Sequence, residues 1–97
     1  MDKQFILQKL RILKPRLQEK YGVSELALFG SYSRGTEISG SSDIDIMVDF
    51  NKPVGIEYMD VVYLLKEAFE AIDVQVVSKK AIKEKYYERL KNDLLYA

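Results

Sequence analysis

The chain has 97 residues, 47% of them apolar and 31% charged, which suffices for one hydrophobic core, so we expect a single domain spanning residues 1–97. Fifteen basic side chains balance fifteen acidic ones, so the chain lacks the positive charge typical of nonspecific nucleic-acid binding, and no direct nucleic-acid partner is expected. The absence of cysteine and histidine excludes disulfides, thiolate metal sites, a cysteine nucleophile and a histidine base.

The chain shows no sign of membrane insertion or export. No apolar run approaches the roughly 20 residues that span a bilayer. The segment Met1–Gln4 lacks the basic start and apolar stretch of a secretory signal. We therefore expect a cytoplasmic protein with no membrane partner.

Apolar residues at helical spacing predict a first amphipathic helix that ends near Tyr21. Gly22 suits the left-handed conformation that closes many helices, and Pro15 should kink or divide the helix. The apolar positions are Ile6, Leu10, Leu13 and Leu17.

A short apolar run, Leu26–Phe29, stops at Gly30 and predicts a buried strand, although periodicity alone leaves a helical piece open. Residues 31–35 are then a turn or one helical turn. The polar segment 36–42, rich in glycine and serine, is predicted to be a loop.

Strict alternation over residues 43–50 predicts a second strand with two different faces. One face is apolar and belongs to the core, whereas the other is acidic and open to solvent or ligand. Asp49, near the end of this strand, is expected to face solvent. The apolar face consists of Ile44, Ile46 and Val48, and the acidic face of Asp43, Asp45 and Met47.

Two further helices and a third strand complete the predicted pattern. Apolar residues from Met59 to Ile72 recur every three or four positions and predict a helix. Alternation over residues 72–77 predicts a strand, and residues 82–94 predict a last helix. The fold class is therefore α/β (α+β), a small domain built on one sheet.

The paired carboxylates of Asp43 and Asp45 need a compensating partner. Two residues apart on a strand, they lie on one side at a spacing of roughly 6 to 7 Å, and Asp73 is expected to join them from a neighbouring strand. Two carboxylates within about 4 Å repel by roughly 4 kcal/mol at an effective dielectric constant of 20. Either one carboxylate takes up a proton or a cation binds; we favour the cation, which hard oxygen ligands would select as Mg²⁺ or Mn²⁺.

Gly30 and Ser31 stand between a strand and a possible helix start, where free backbone N–H groups can bind phosphate oxygens. Arg34, one turn further on, could complement phosphate charge or could instead pair with Glu37. Phosphate donors beside a cation site are what phosphoryl or nucleotidyl transfer requires.

Two motifs in this order, Gly30–Gly35 and Ser42–Ile46, resemble the signature of nucleotidyltransferases of the DNA polymerase beta superfamily, and most of all its minimal nucleotidyltransferase group. The resemblance implies the palm-like fold of that superfamily for the whole chain, with a small mixed sheet and helices packed on one face. Eleven residues separate Ser31 from Asp43, one more than the usual family pattern, and we expect the added residue in the loop at positions 38–42.

The resemblance also implies which residues form the site. Two Mg²⁺ ions, replaceable by Mn²⁺, would be bound by the catalytic carboxylates, and the substrate ATP by the glycine–serine turn and the arginine after it. Asp73 could instead act directly as the base. The metal-binding and catalytic residues would be Asp43, Asp45 and Asp73, and the ATP-binding residues Gly30, Ser31 and Arg34.

Members of this group are often the antitoxin of a pair whose toxin is a HEPN-domain ribonuclease. By resemblance, the chain would transfer AMP from ATP to a hydroxyl group of that toxin, expected to be a tyrosine, as the antitoxin of a type VII toxin–antitoxin system. Two alternatives are a noncatalytic antitoxin that acts by binding, and nucleotidyl transfer to a small molecule or an RNA end. Assembly with itself or with the toxin is left open.

Overall fold

A computed structural model, which describes residues 1–38 and 40–97, contains one mixed sheet of four strands. The strands are β1 (Val23–Phe29), β2 (Ile44–Phe50), β3 (Val74–Ser78) and β4 (Leu95–Tyr96). Their order across the sheet is β3-β2-β1-β4. Strand β1 pairs antiparallel with β2 and β4, whereas β2 and β3 are parallel. The mixed sheet confirms the predicted fold class.

Four α-helices and two 3₁₀ turns connect these strands. The helices are α1 (Lys3–Tyr21), α2 (Ser31–Arg34), α3 (Glu57–Ala68) and α4 (Glu84–Leu90), and the turns are Lys79–Ala81 and Lys91–Asp93. Helices α1 and α3 contact each other and share the main hydrophobic cluster with the sheet. Within the described residues, every helix is too short or too polar to cross a membrane.

Helix α1 begins and ends as its sequence predicts. At its start the Asp2 carboxylate accepts a hydrogen bond from the Phe5 N–H, and at its end Gly22 adopts φ 73° and closes the last turn. The helix nevertheless runs unbroken through Pro15, so of the two predicted effects of this proline, a kink or a division, the division is wrong. Leu10 and Leu17, buried on either side of Pro15, hold both halves against the core.

Strand β2 confirms the predicted apolar face, because Ile44, Ile46 and Val48 are fully buried in the main cluster. The opposite face is less open than predicted. Met47 and its strand partner Ala27 are also fully buried, although neither belongs to the main cluster.

The chain after β3 folds back against β2 at the first 3₁₀ turn, on the face opposite the main core. Asp49 lies on this covered face with its side chain only 16% exposed, and Lys80 Nζ is 4.0 Å from its Oδ1 atom. The expectation that Asp49 faces solvent is therefore wrong.

The predicted last helix over residues 82–94 is also only partly correct. Helix α4 covers Glu84–Leu90 alone and has no buried residue. The chain then forms the second 3₁₀ turn and β4, because Leu95 and Tyr96 pair with β1. Backbone pairing with a distant strand has overridden the helical spacing.

Helix α3 is confirmed, and it buries part of its predicted apolar side. Leu65 and, just beyond the helix end, Phe69 are buried as predicted, whereas Met59 is 60% exposed. Val61 is fully buried in addition.

Met47 and Met59 provide a test of which face of β2 and which side of α3 are buried. We expect Met47→Ala to lower the free energy of unfolding by about 2 to 5 kcal/mol, because it leaves a cavity at a fully buried position. The matched control, Met59→Ala, should change it by no more than about 0.5 kcal/mol. Urea denaturation measures both, and a small effect of Met47→Ala would show that the second face is open after all.

Candidate active site

Asp43 and Asp45 lie where β2 begins, at one end of the central strands. Asp45 is the pairing partner of Phe29 in β1 and of Gln75 in β3. Its side chain points away from the main core, because the alternate residues Ile44 and Ile46 fill that core. The predicted acidic pair therefore lies on the non-core face of the sheet.

The electrostatics of Asp45 show which charges surround it. Burial raises the pKa of Asp45 above its ordinary value, and the nearby charge of Asp43 raises this pKa further. The positive charge of Arg34 acts on the same pKa in the opposite direction without cancelling the rise. The structure thus brings Asp43, Asp45 and Arg34 together.

Gly30 joins β1 to α2 and packs directly against Asp45. It has φ 78° and ψ −155°, a conformation that is essentially restricted to glycine. A β-carbon at this position would overlap Oδ2 of Asp45. Ser31 follows as the first residue of α2, and its carbonyl oxygen accepts a hydrogen bond from the Thr36 N–H at 2.9 Å. The glycine–serine turn and the acidic pair are therefore neighbours.

Asp73 lies immediately before β3, beside the start of β2. Its carbonyl oxygen accepts a hydrogen bond from the Ile44 N–H at 2.9 Å, and both Asp73 and Asp43 line a cavity of about 200 Å³. However, among residues 1–38 and 40–97 no three Asp, Glu, His or Cys side chains are grouped closely enough to hold one metal ion. The structure thus places Asp73 near Asp43 without forming the three-carboxylate group.

The acidic pair itself suits a hard divalent cation. Its donors are carboxylate oxygens, which Mg²⁺ and Mn²⁺ prefer. Burial and the charge of Asp43 raise the pKa of Asp45 by more than the charge of Arg34 lowers it. A cation bound by Asp43 and Asp45 would supply the missing positive charge.

Arg34 forms its ion pair with a residue that the sequence analysis did not consider. Its Nη1 atom is 2.7 Å from Oδ2 of Asp93, in the second 3₁₀ turn. The alternative pairing with Glu37 is not the one observed. Asp93 is 59 residues away from Arg34, so no local spacing could have indicated the contact. The loop at positions 38–42, where the added residue is expected, includes Ser39, which lies outside the described residues.

A larger groove, of about 830 Å³, is lined at one point by Phe29, the strand partner of Asp45. Lys83 is the one charged residue among its described lining. Most of the lining is apolar or aromatic and includes Tyr58, Val77, Ile82, Tyr86 and Leu90.

The chain is similar to known proteins over almost its whole length. A family model described as nucleotidyltransferase domain matches residues 10–96. A protein of Methanocaldococcus jannaschii, provisionally named protein adenylyltransferase, is 40% identical over 95 residues, which cover 94% of this chain and 93% of that protein. Protein adenylyltransferase MntA of Thermococcus cleftensis is 34% identical over 84 residues, covering 86% of this chain and 83% of that protein.

Two solved structures share the fold. One, provisionally described as a minimal nucleotidyltransferase, has a TM-score of 0.75 at 22% identity and covers 98% of this chain and 95% of that one. The other, a mutant of the toxin–antitoxin complex MntA–HpeT, has a TM-score of 0.68 at 22% identity and covers 99% of this chain and 72% of that one.

The charges around Asp45 can be tested by NMR titration of its carboxyl carbon in metal-free protein. We expect Asp43→Asn to lower the pKa of Asp45, because it removes a repelling charge. We expect Arg34→Gln to raise the same pKa, because it removes an attracting one. Shifts in the same direction for both variants would contradict the arrangement described above.

The raised pKa of Asp45 also determines how the stability of the protein changes with pH. Folding favours the protonated form of Asp45, so this contribution to stability is full below the unfolded pKa and is lost as the pH rises through the folded pKa. Asp45→Asn should therefore raise the melting temperature relative to wild type at neutral pH, in the absence of metal, and the gain should shrink in acid.

Gly30 and Gly35 form a pair for testing the contact with Asp45. Both have positive φ, at 78° and 76°, but a β-carbon at Gly35 would meet nothing within 4 Å. We expect Gly35→Ala to cost about 1 to 2 kcal/mol of stability through backbone strain alone. Gly30→Ala should cost more and should shift the Asp45 side-chain NMR signals. Equal losses of stability with unshifted signals would argue against close packing of Gly30 on Asp45.

Proposed function

The chain belongs to the nucleotidyltransferase family, and from that premise we propose that it transfers AMP from ATP, with Mg²⁺ bound, to a hydroxyl group of a partner protein. The partner we propose is a HEPN-domain toxin, the acceptor is a tyrosine, and the chain acts as a type VII antitoxin. The names of the relatives and the MntA–HpeT complex support this choice. The observation that carries it is the packing of Gly30 against Asp45, because it joins the phosphate-binding turn to the acidic pair.

Each residue of the site then has a defined task. Asp43 and Asp45 bind the divalent cation, and the backbone of Gly30 and Ser31 binds the β- and γ-phosphates. When bound, Mg²⁺ neutralises charge on the phosphates and lowers the pKa of the acceptor hydroxyl. Arg34 stabilises the negative charge that develops on the departing pyrophosphate.

In the transfer step the acceptor oxygen forms a bond to the α-phosphorus. The bond from that phosphorus to the oxygen bridging to the β-phosphate breaks, and pyrophosphate leaves with that oxygen and the bonding electrons. The acceptor proton passes to Asp73, which lies beside Asp43, or to water. Asp73 is the residue available for this role, because the chain has no histidine.

The large groove favours a protein acceptor over an RNA end or a polar small molecule. It is lined at one point by Phe29, the strand partner of Asp45, and its lining is largely apolar and aromatic. An aromatic side chain such as tyrosine can be buried there with its hydroxyl directed at the acidic pair. An RNA end would instead require several phosphate-binding cations, and the chain has no net positive charge.

The decisive assay incubates the protein with α-labelled ATP, Mg²⁺ and the HEPN-domain toxin. We expect Asp43→Asn combined with Asp45→Asn to reduce label transfer by about 100-fold or more, since it removes the cation ligands. The control, Asp49→Asn, changes a carboxylate on the same strand face and should leave transfer near the wild-type rate.

The same assay separates catalysis from simple binding. Label transfer that survives in the double variant would refute the mechanism. Neutralisation of the toxin at full strength by a transfer-inactive double variant would instead support a noncatalytic antitoxin. Against that alternative stands the uncompensated acidic pair, which a protein that only binds has no reason to keep.

A further inference from the structure

Asp93 connects the C-terminal part of the chain to helix α2 through two contacts. Its backbone carbonyl accepts a hydrogen bond from the buried hydroxyl of Ser33. Its carboxylate Oδ2 accepts a hydrogen bond from Arg34 Nη1 at 2.7 Å. These two contacts hold α2, the four-residue helix that begins at Ser31, against the C-terminal part of the chain.

Arg34 remains able to bind a second anion while it is paired with Asp93. Its side chain is 51% exposed, whereas that of Asp93 is only 20% exposed, so the carboxylate is the fixed partner and the guanidinium the accessible one. A guanidinium has five N–H donors, and the observed contact occupies Nη1 alone. Arg34 is also the last residue of the four-residue helix that begins at Ser31, so it lies one helical turn from the Gly30–Ser31 turn.

We propose that Asp93 is a positioning residue for nucleotide binding, which holds the Arg34 guanidinium where it meets the phosphates of a nucleoside triphosphate. The proposal rests on the function proposed above, since it takes the Gly30–Ser31 turn as the phosphate site. Asp93 itself touches neither nucleotide nor acceptor. Because the ion pair restricts the arginine rotamers in the free protein, less side-chain entropy is lost when the phosphates bind.

The two contacts of Asp93 can be separated by mutation. The Ser33 hydroxyl bonds to the backbone of Asp93, so this contact is available to any side chain at position 93. Asp93→Asn therefore removes the charged partner of Arg34 while keeping the attachment of α2. A partly exposed ion pair contributes little to stability, so the effect of this variant should fall on ligand binding.

The experiment measures binding of ATP and of inorganic tripolyphosphate by calorimetry in the presence of Mg²⁺. We expect Asp93→Asn to weaken both ligands about tenfold and to raise KM for ATP by the same factor, with kcat within about twofold of wild type. Asp93→Glu should restore most of the affinity. In NMR spectra the guanidinium N–H signals of Arg34 should be sharp in wild type and broadened in Asp93→Asn. The melting temperature should be the same in both proteins.

Two controls define the result that would overturn the proposal. Glu88→Gln breaks a neighbouring ion pair, with Lys91 at 2.6 Å, and should leave affinity unchanged. In an Arg34→Gln background, Asp93→Asn should have no further effect on tripolyphosphate binding. Undiminished tripolyphosphate affinity in Asp93→Asn, or an equal loss without Arg34, would refute the positioning role.

Tripolyphosphate binding needs no acceptor, so the proposed transfer and the positioning role can fail separately. If wild type binds tripolyphosphate through Arg34 and Asp93 but transfers no AMP, only the proposed transfer is wrong. If wild type binds no tripolyphosphate, the phosphate site is wrong and the positioning role fails with it.

Discussion

The backbone of Gly30 lies against the carboxylate of Asp45, and this contact depends on strand pairing. Because Phe29 and Asp45 are partners in the antiparallel β1–β2 pair, the residue after Phe29 must pass beside the Asp45 side chain. A residue with a β-carbon would displace that carboxylate. The turn and the acidic pair are thus held together by sheet register, whatever path the long loop between β1 and β2 takes.

This arrangement has an electrostatic cost that the rest of the domain must offset. Asp45 is partly buried beside Asp43, and Arg34 compensates only part of the resulting repulsion. The stabilising contribution comes from the opposite face of the sheet, where α1 and α3 pack on the fully buried Ile44 and Ile46. A site that destabilises the free protein is typical where charge must be available for a ligand. Because side chains alternate along β2, its apolar residues stabilise the core on one face while its carboxylates remain available on the other.

Sequence patterns predicted the features that depend on local geometry. The alternation in β2 gave its buried face, and Gly22 marked the end of α1, because both follow from backbone periodicity or a single residue type. The patterns failed where distant segments meet. Met47 is fully buried on the face that alternation predicts to be open, and β4 has two residues, too few to show a period. Asp93 likewise pairs with a residue 59 positions away, which no local spacing could indicate.

The C-terminal segment supports the site from both sides of Gly30. Before the glycine, β4 pairs with Ala27 and Leu28 and completes the hydrogen bonding of the strand that leads into the turn. After it, Asp93 contacts Ser33 and Arg34 in the helix that leads away. Since both supports come from residues 93–96, a displacement of this short segment would loosen the strand and the helix together. Nucleotide binding and the packing of the C-terminal segment should therefore be coupled, through Arg34 as the residue that can contact both.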